Sequence, residues 1–226
     1  MMPDSPVAVS GTSNPSPAGD AIGAMPLGEL LGGIARKTPA PGGGAVASAA
    51  GALAAALAGM VVAYSSGKKS LAAHAAAHEH LAERFAKSSC SLLELADADA
   101  EAYTQLNALQ RLDKSDARRA SDLARAASRC VGVPLSVQDV CVALLEDFKT
   151  LAPIANRWLL SDLKIAAILA EATVRASACN VLVNAPTLAE ATTPNEARRA
   201  TDASNASCGR AHELLAAVET LLVTDS

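Results

Sequence analysis

Residues Thr38 to Tyr64 read TPAPGGGAVASAAGALAAALAGMVVAY, and this stretch decides the fold. Two prolines and three consecutive glycines are followed by a run that carries no charge and consists mostly of Ala. Ala has the highest helix propensity, and a Pro/Gly cluster before such a run is typical of a helix start. Because Ala is small, neighbouring helices can approach such a helix closely. We therefore expect a tightly packed, Ala-rich central helix.

The composition of the whole chain favours helices. Half of the 226 residues are hydrophobic, yet aromatic residues make up 2%. Strand-forming β-branched and aromatic residues are scarce, and no alternating apolar run of useful length is present. The sequence predicts an all-α, single-domain antiparallel helical bundle around the long Ala-rich helix.

Residues 1–26 are rich in Pro, Ser and Gly without periodicity, which predicts a disordered tail before one helical domain over 27–226. A break is expected at Pro134, because proline lacks the backbone donor that a helix needs. The predicted helices span residues 27–36, 45–66, 70–112, 115–133, 136–150, 161–184 and 194–223.

Charge and cysteine content exclude several classes of protein. The net charge of −4 is a poor match for nucleic acid, which calls for clustered Lys and Arg. The five cysteines are dispersed, so neither a zinc site nor a disulfide framework is indicated. No basic segment precedes an apolar one at the N-terminus. We expect a cytoplasmic protein without a nucleic-acid partner.

A membrane span is the alternative interpretation of the Ala-rich run. Residues 45–64 are long enough to cross a bilayer. Their Ala, Gly and Ser content provides little insertion energy, however, and no second stretch of this kind is apparent in the sequence. We expect no membrane partner, and keep the span as the competing hypothesis.

The glycines Gly42, Gly43 and Gly44 place bare backbone N–H groups at the start of the central helix. The first N–H groups of a helix have no partner within it, so they attract anions and polar ligands. A ligand-binding turn is one interpretation, and close packing of a core helix is the other.

Asp99 falls on the buried stripe of the long third helix, seven residues after Leu92 and four before Tyr103. A carboxylate there is costly unless it is paired or has a function, so a structural tether and a catalytic role both stay open. Asp97 and Glu101 lie on the other side and are expected to be solvated.

Further polar candidates lie near the ends of helices. Asp162 and Asn180 are five turns apart on one helix face, about 27 Å from each other, and Ser161 or Asp162 is a candidate N-cap. Lys68 follows the central helix, where it could simply complement the helix dipole. His74 and His78 share a face but lack a third ligand, so no metal site is expected.

Six motifs follow one another along the chain in a distinctive order: TPAPGGGAVAS (Thr38–Ser48), GKK (Gly67–Lys69), DADAEAY (Asp97–Tyr103), VPL (Val133–Leu135), NRWLLSD (Asn156–Asp162) and NVLVN (Asn180–Asn184). This ordered set resembles a known family, the cyclodeaminase domain of formiminotransferase-cyclodeaminase, which includes stand-alone bacterial methenyltetrahydrofolate cyclohydrolases. The resemblance covers residues 27–226.

This resemblance implies a homodimeric helical enzyme that acts on the N5/N10 carbon of a tetrahydrofolate derivative, without metal or redox cofactor. Either ammonia leaves a formimino group or water opens a methenyl bridge. The resemblance implies Asp99 and Lys68 as the catalytic pair. It implies substrate binding by Gly42, Gly43, Gly44, Asn156, Asp162 and Asn180.

The chain departs from the family's pattern around the predicted cleft. Arg157, Trp158 and Lys164 stand where small or amide residues are usual, and Leu71 replaces an expected Tyr. This is the pattern of a divergent member. The competing hypothesis is a non-catalytic helical dimer on the same scaffold that binds a different ligand or a protein partner.

Overall fold

The computed structural model describes residues 21–224, with side chains through Leu222. These residues form six α-helices and no strand, which confirms the all-α prediction. Of the tail predicted for residues 1–26, residues 1–20 lie outside the described residues. The helices are α1 (Leu27–Ile34), α2 (Gly43–Ser65), α3 (Ala75–Gln110), α4 (Ala117–Leu151), α5 (Leu160–Ala191) and α6 (Pro194–Thr224).

Helix α2 is the central helix, packed against α3, α4 and α5. The helices approach closely at Gly51, where an added Cβ would lie 3.0 Å from the Cys141 sulfur and 3.2 Å from a Thr173 methyl. Small residues along α2 allow this close packing, as the Ala content predicted. The main hydrophobic core surrounds the C-terminal part of α2, where the rings of Phe85 and Phe148 are 5.5 Å apart.

The predicted break at Pro134 is wrong, because α4 is continuous from Ala117 to Leu151. Proline removes the donor that would bond the carbonyl of Cys130, four residues earlier. The side-chain amide of Asn184 on α5 donates to that carbonyl at 3.2 Å. A side chain from the neighbouring helix thus takes over the missing hydrogen bond, and the helix continues.

The predicted N-cap of the fifth helix is also wrong. Helix α5 begins at Leu160, without a side-chain cap, so neither Ser161 nor Asp162 has that role. The preceding 3-10 turn, Arg157–Leu159, is capped instead by Asn156, whose side chain accepts from the Trp158 N–H at 3.4 Å.

The described structure begins before the predicted domain start. A 3-10 turn, Ile22–Ala24, packs on α3, and the N–H of Ile22 donates to Asp97 Oδ1 at 2.8 Å. Glu101 pairs with Arg129 at 2.7 Å. Glu101 is therefore exposed as predicted, although it also forms an ion pair, whereas Asp97 is half-buried and partnered.

Within residues 21–224, three helical stretches are long and apolar enough to cross a membrane: Gly43–Ser65, Ala117–Ile154 and Arg157–Ala191. The sequence analysis identified the first and missed the other two. In their most apolar windows, 56%, 44% and 50% of the residues are buried inside the protein. Internal packing therefore buries about half of the residues in these windows.

Candidate functional site

A cavity of about 270 Å³ opens at the N-terminus of α2, between α3, α4 and α5. It brings together five of the predicted site residues: the three glycines, Asp99 and Asn180. The remaining lining residues are Pro39, Ala40, Tyr103, Cys130, Val183 and Asn184.

The Asp99 carboxyl lies over the first turn of α2. It accepts a hydrogen bond from the backbone N–H of Ala45. A Cβ built on Gly44 would overlap with all three carboxyl atoms of Asp99, so this contact requires a glycine at position 44. The Pro/Gly turn therefore provides both the free N–H groups and the space that the carboxyl occupies.

Burial raises the pKa of Asp99 above its usual value, and the hydrogen bond from Ala45 partly opposes that shift. A carboxyl whose pKa is raised by burial inside a cavity is a candidate for taking up and returning protons during a reaction. The same contact also stabilises the start of α2, since a carboxylate is favourable at a helix N-terminus. The structure thus shows the tether that the sequence left open, and it places the same carboxyl in a cavity.

The other ionisable groups that line the cavity are Tyr103 and Cys130. Burial raises the pKa of the Cys130 thiol to about 11, and the charge of Asp99 adds to that effect. The thiol stays protonated at neutral pH, which makes it a poor nucleophile. No Lys, Arg or His side chain lines the cavity within the described part of the chain.

Two asparagines form the α5 wall of the cavity. The amide of Asn184 is held by the carbonyls of Asn180 at 2.9 Å and Cys130 at 3.2 Å. Asn180 lies close to the glycine turn, with its Oδ1 3.7 Å from the position of a Cβ on Gly43. Asn180 is therefore placed to contact a ligand, whereas Asn184 holds the wall.

Lys68 and Asn156 line a different cavity, of about 440 Å³, at the other end of α2. Helix α2 is about 33 Å long, so within one chain Lys68 cannot touch Asp99. Asn156 is buried and fastens the end of α2, because its N–H donates to Ser65 Oγ at 2.8 Å and its side chain donates to the Tyr64 carbonyl at 3.4 Å. Asp162 lies in the first turn of α5 and lines neither cavity.

A protein-family model described as formiminotransferase-cyclodeaminase matches residues 26–203, which include every residue of the cavity. The chain belongs to the formiminotransferase-cyclodeaminase family. Formimidoyltransferase-cyclodeaminase from Mus musculus is 34% identical over 155 residues, which are 67% of this chain and 29% of that protein. The chain thus spans less than a third of that relative.

Two smaller relatives are covered more completely. Methenyltetrahydrofolate cyclohydrolase from Methylorubrum extorquens is 31% identical over 69% of this chain and 77% of its own length. The crystal structure of formiminotetrahydrofolate cyclodeaminase from Thermotoga maritima superposes with a TM-score of 0.79 at 27% identity. That match covers 90% of this chain and 98% of the other. The fold of this family member is therefore close to that of a stand-alone relative.

Sequence reasoning did not include three of the polar residues that line the cavity in this family member. Tyr103 lies one helical turn after Asp99, and the i, i+4 spacing of Asn180 and Asn184 places both on one face, so periodicity could have found them. No sequence pattern indicated Cys130, because its position in the cavity wall depends on how α4 packs against α3.

The histidine pair that the sequence raised as a metal site has a structural role. Nε2 of the buried His78 is 2.9 Å from the carbonyl of Ile154, and the rings of His74 and His78 are 6.4 Å apart. Across residues 21–224, no three His, Cys, Asp or Glu side chains are grouped closely enough to hold a metal ion.

Proposed function

We propose that this protein is a folate one-carbon enzyme that acts on the carbon bridging N5 and N10 of a tetrahydrofolate derivative. The observation that carries the proposal is the Asp99 carboxyl, whose pKa is raised by burial. It lies inside the cavity at the N-terminus of α2 in a formiminotransferase-cyclodeaminase family member. The names of the relatives support the substrate class, since they include both a cyclodeaminase and a cyclohydrolase.

Both reactions pass through a tetrahedral carbon bonded to N5 and N10. In ring opening, water adds to the methenyl carbon and loses a proton, which leaves a hydroxyl on a tetrahedral carbon. That hydroxyl then loses its proton while the C–N5 bond breaks and N5 gains a proton, which leaves a 10-formyl group. In ring closure with deamination, N10 attacks the formimino carbon and loses its proton, and the formimino nitrogen gains two protons and leaves as ammonia. Each sequence needs one group that takes a proton and returns it.

Asp99 is proposed for that role. When ionised, its carboxylate stabilises the positive charge that the substrate carries across N5, the carbon and N10. It accepts the proton of the attacking water or amine and then returns it to the departing nitrogen. This proton-transfer step needs no metal ion.

The backbone of the glycine turn complements Asp99. The N–H groups of Gly43 and Gly44 belong to the first turn of α2 and have no partner within the helix. They are proposed to hold the pterin oxygen or the developing formyl oxygen, with the Asn180 amide on the opposite wall. Tyr103, half-exposed at the mouth, provides a ring for the substrate to pack against.

The experiment that tests this function follows both reactions with the purified protein. Loss of methenyltetrahydrofolate absorbance with formation of the 10-formyl product would identify the cyclohydrolase. Release of ammonia from 5-formiminotetrahydrofolate would identify the cyclodeaminase. A folate that protects the protein against thermal unfolding without turnover would support the non-catalytic alternative. The absence of both folate binding and turnover would overturn the proposal.

Homodimer formation and a cytoplasmic location are part of the same proposal. The dimer is supported by apolar side chains on the outer face of α2 and α5, with Leu53 64% exposed and Val183 71% exposed. The cytoplasmic location is supported by the free cysteines, since all five lack a disulfide partner. Sedimentation in the absence of detergent tests the dimer, and cell fractionation tests the location.

A further inference from the structure

We propose that the cavity at the C-terminal end of α2 binds an aromatic carboxylate, in which the ring of Trp158 stacks on the ligand and Arg157 and Lys68 bind its carboxylate groups. This inference does not depend on the function proposed above, because it concerns binding at this cavity and not turnover at Asp99. Its basis is an exposed aromatic ring, two cations without acidic partners, and a rigid turn that presents them.

The first observation is the position of Trp158. It is the single tryptophan of a chain in which aromatic residues make up only 2% of the sequence. It is 73% exposed, and it lines the cavity of about 440 Å³. Single exposed apolar residues are common on protein surfaces, but ligand cavities are characteristically lined by aromatic rings together with a few polar groups. The ring of Trp158 is therefore placed to stack on a molecule in this cavity.

The second observation is the contact between Arg157 and Trp158. The central carbon of the guanidinium lies 4.7 Å from the centroid of the ring, within the range of a cation–π interaction. This contact orients the two side chains relative to each other. Arg157 makes no ion pair with any residue that the structure describes, so its N–H groups are available to a ligand. A ring and a fork of donors are thus presented side by side.

The third observation is the charge of the cavity. Lys68 and Arg157 line it, and no Asp or Glu is among its described lining residues. Lys68 also makes no ion pair within residues 21–224. Cations without acidic partners in a concave site attract anions, and a guanidinium can bind a carboxylate through two parallel hydrogen bonds. Ser70 adds a hydroxyl donor and Leu71 adds an apolar contact.

The turn that carries these side chains is anchored to the end of α2. The buried Asn156 donates from its backbone to Ser65 Oγ at 2.8 Å and from its side chain to the Tyr64 carbonyl at 3.4 Å. Its side-chain oxygen accepts from the Trp158 N–H at 3.4 Å, which caps the 3-10 turn Arg157–Leu159. Because the turn is held in place, its side chains can bind a ligand at a small cost in conformational entropy.

Together these groups define the ligand by its chemistry. Trp158 calls for a flat ring, and the two cations call for carboxylate groups attached to it. The volume of about 440 Å³ suits a small molecule. Arg157 and Trp158 are also positions at which the chain departs from the family's pattern, so this ligand class follows from the residues of this chain. p-Aminobenzoyl-L-glutamate, a ring joined to two carboxylates, is the matching probe.

The test uses the fluorescence of Trp158, which reports on this cavity because the chain has no other tryptophan. Addition of p-aminobenzoyl-L-glutamate to the full chain should change the emission saturably, with a Kd below about 1 mM. L-Glutamate lacks the ring and p-aminobenzamide lacks the carboxylates, so each should bind at least about tenfold more weakly. Added NaCl should weaken binding, since the charges are accessible to solvent. No saturable change, or equal affinity for the three compounds, would overturn the proposal.

Variants assign the binding to named side chains. Arg157→Gln should weaken binding about tenfold, because it removes a charged hydrogen-bond donor. The matched control is Arg198→Gln, the same change at an exposed arginine of α6, which should bind like the wild type. Trp158→Leu should weaken binding about tenfold in a calorimetric titration, with circular dichroism showing that the variant is folded.

Wild-type affinity in folded Arg157→Gln or Trp158→Leu, or equal weakening in the Arg198→Gln control, would overturn the assignment. If the wild-type protein shows no turnover of folates, the proposed function fails, and the titration still decides this inference.

Discussion

The carboxyl group of Asp99 occupies the space that a side chain on Gly44 would need. A Cβ on residue 44 would overlap with the Asp99 carboxyl, whereas the same atom on Gly42 or Gly43 would have no neighbour closer than 3.7 Å. The three glycines are therefore not equivalent. Gly44 admits the carboxyl, and the other two leave the turn open toward the cavity.

Gly44→Ala should displace Asp99 and reduce turnover by about 100-fold, since a shift of one ångström in a reacting group has an effect of that order. The helix itself should remain, because Ala favours helix more than Gly does. Steady-state kinetics and circular dichroism of the variant measure both effects.

The matched control for that variant is Gly209→Ala. Gly209 is in α6, and an added Cβ there would meet no atom within 4 Å. The control should keep wild-type turnover and gain a little stability. Equal activity of both variants would mean that Asp99 does not need its present position.

The raised pKa of Asp99 predicts a pH dependence of stability. An unfolded aspartate titrates near 3.8, and the folded group titrates at a higher pH. Between these two values the folded protein keeps a proton that the unfolded chain has lost, so the contribution of Asp99 to the free energy of unfolding falls as pH rises. Above the folded pKa the contribution is constant.

Urea unfolding of wild type and Asp99→Asn between about pH 3.5 and pH 7 measures this difference. The stability of the wild type relative to the variant should decline through that window and then level off. A relative stability that increases with pH would show that the helix N-terminus lowers the pKa more than burial raises it.

The helical fold and the position of Asp99 could be predicted because the sequence patterns that indicate them are local. The Ala content predicted the central helix, the Pro/Gly cluster predicted where it begins, and helical periodicity placed Asp99 on the buried side of α3. The separation of Lys68 from Asp99 within one chain was not predictable from a resemblance, because motif order gives no distance. The 23-residue length of α2 provides that distance.

The hydrogen bond from Asn184 to the Cys130 carbonyl explains why α4 continues past Pro134, and it predicts a coupling between the two positions. Asn184→Leu should cost about 1–3 kcal/mol of stability, because it leaves a carbonyl unsatisfied. In a Pro134→Ala background the helix provides its own donor, so the same change should cost less. Chemical unfolding of the four proteins measures the coupling, and equal costs in both backgrounds would contradict this account.

That coupling also shows why the predicted break failed. The sequence locates the proline and the lost donor correctly. The sequence does not show that a hydrogen-bond donor fifty residues after the proline lies on a helix that packs against α4. The same limit applies to Cys130, whose place in the cavity wall is set by tertiary packing.

Cys130 should be chemically inert although it lines the site. With a pKa of about 11, its thiol is protonated at neutral pH, whereas Cys90 and Cys179 are exposed. Iodoacetamide at neutral pH should label the two exposed cysteines and leave Cys130 unmodified, as mass spectrometry of the peptides would show. Cys130→Ala should keep turnover within about threefold of wild type, since the change removes only the protonated thiol from the cavity wall. Loss of activity on this change would assign the thiol a role in the reaction.

The most direct measurement of the central claim is the turnover of methenyl- and formiminotetrahydrofolate by wild type and Asp99→Asn. The variant keeps the shape of the side chain and its hydrogen bond from Ala45, while it removes the group that exchanges protons. We expect turnover by the wild type and a loss of about 10²- to 10⁴-fold in the variant, the range for a missing acid/base group, with unchanged helicity. A variant that is folded and as active as the wild type would contradict the assignment of Asp99 and the mechanism built on it.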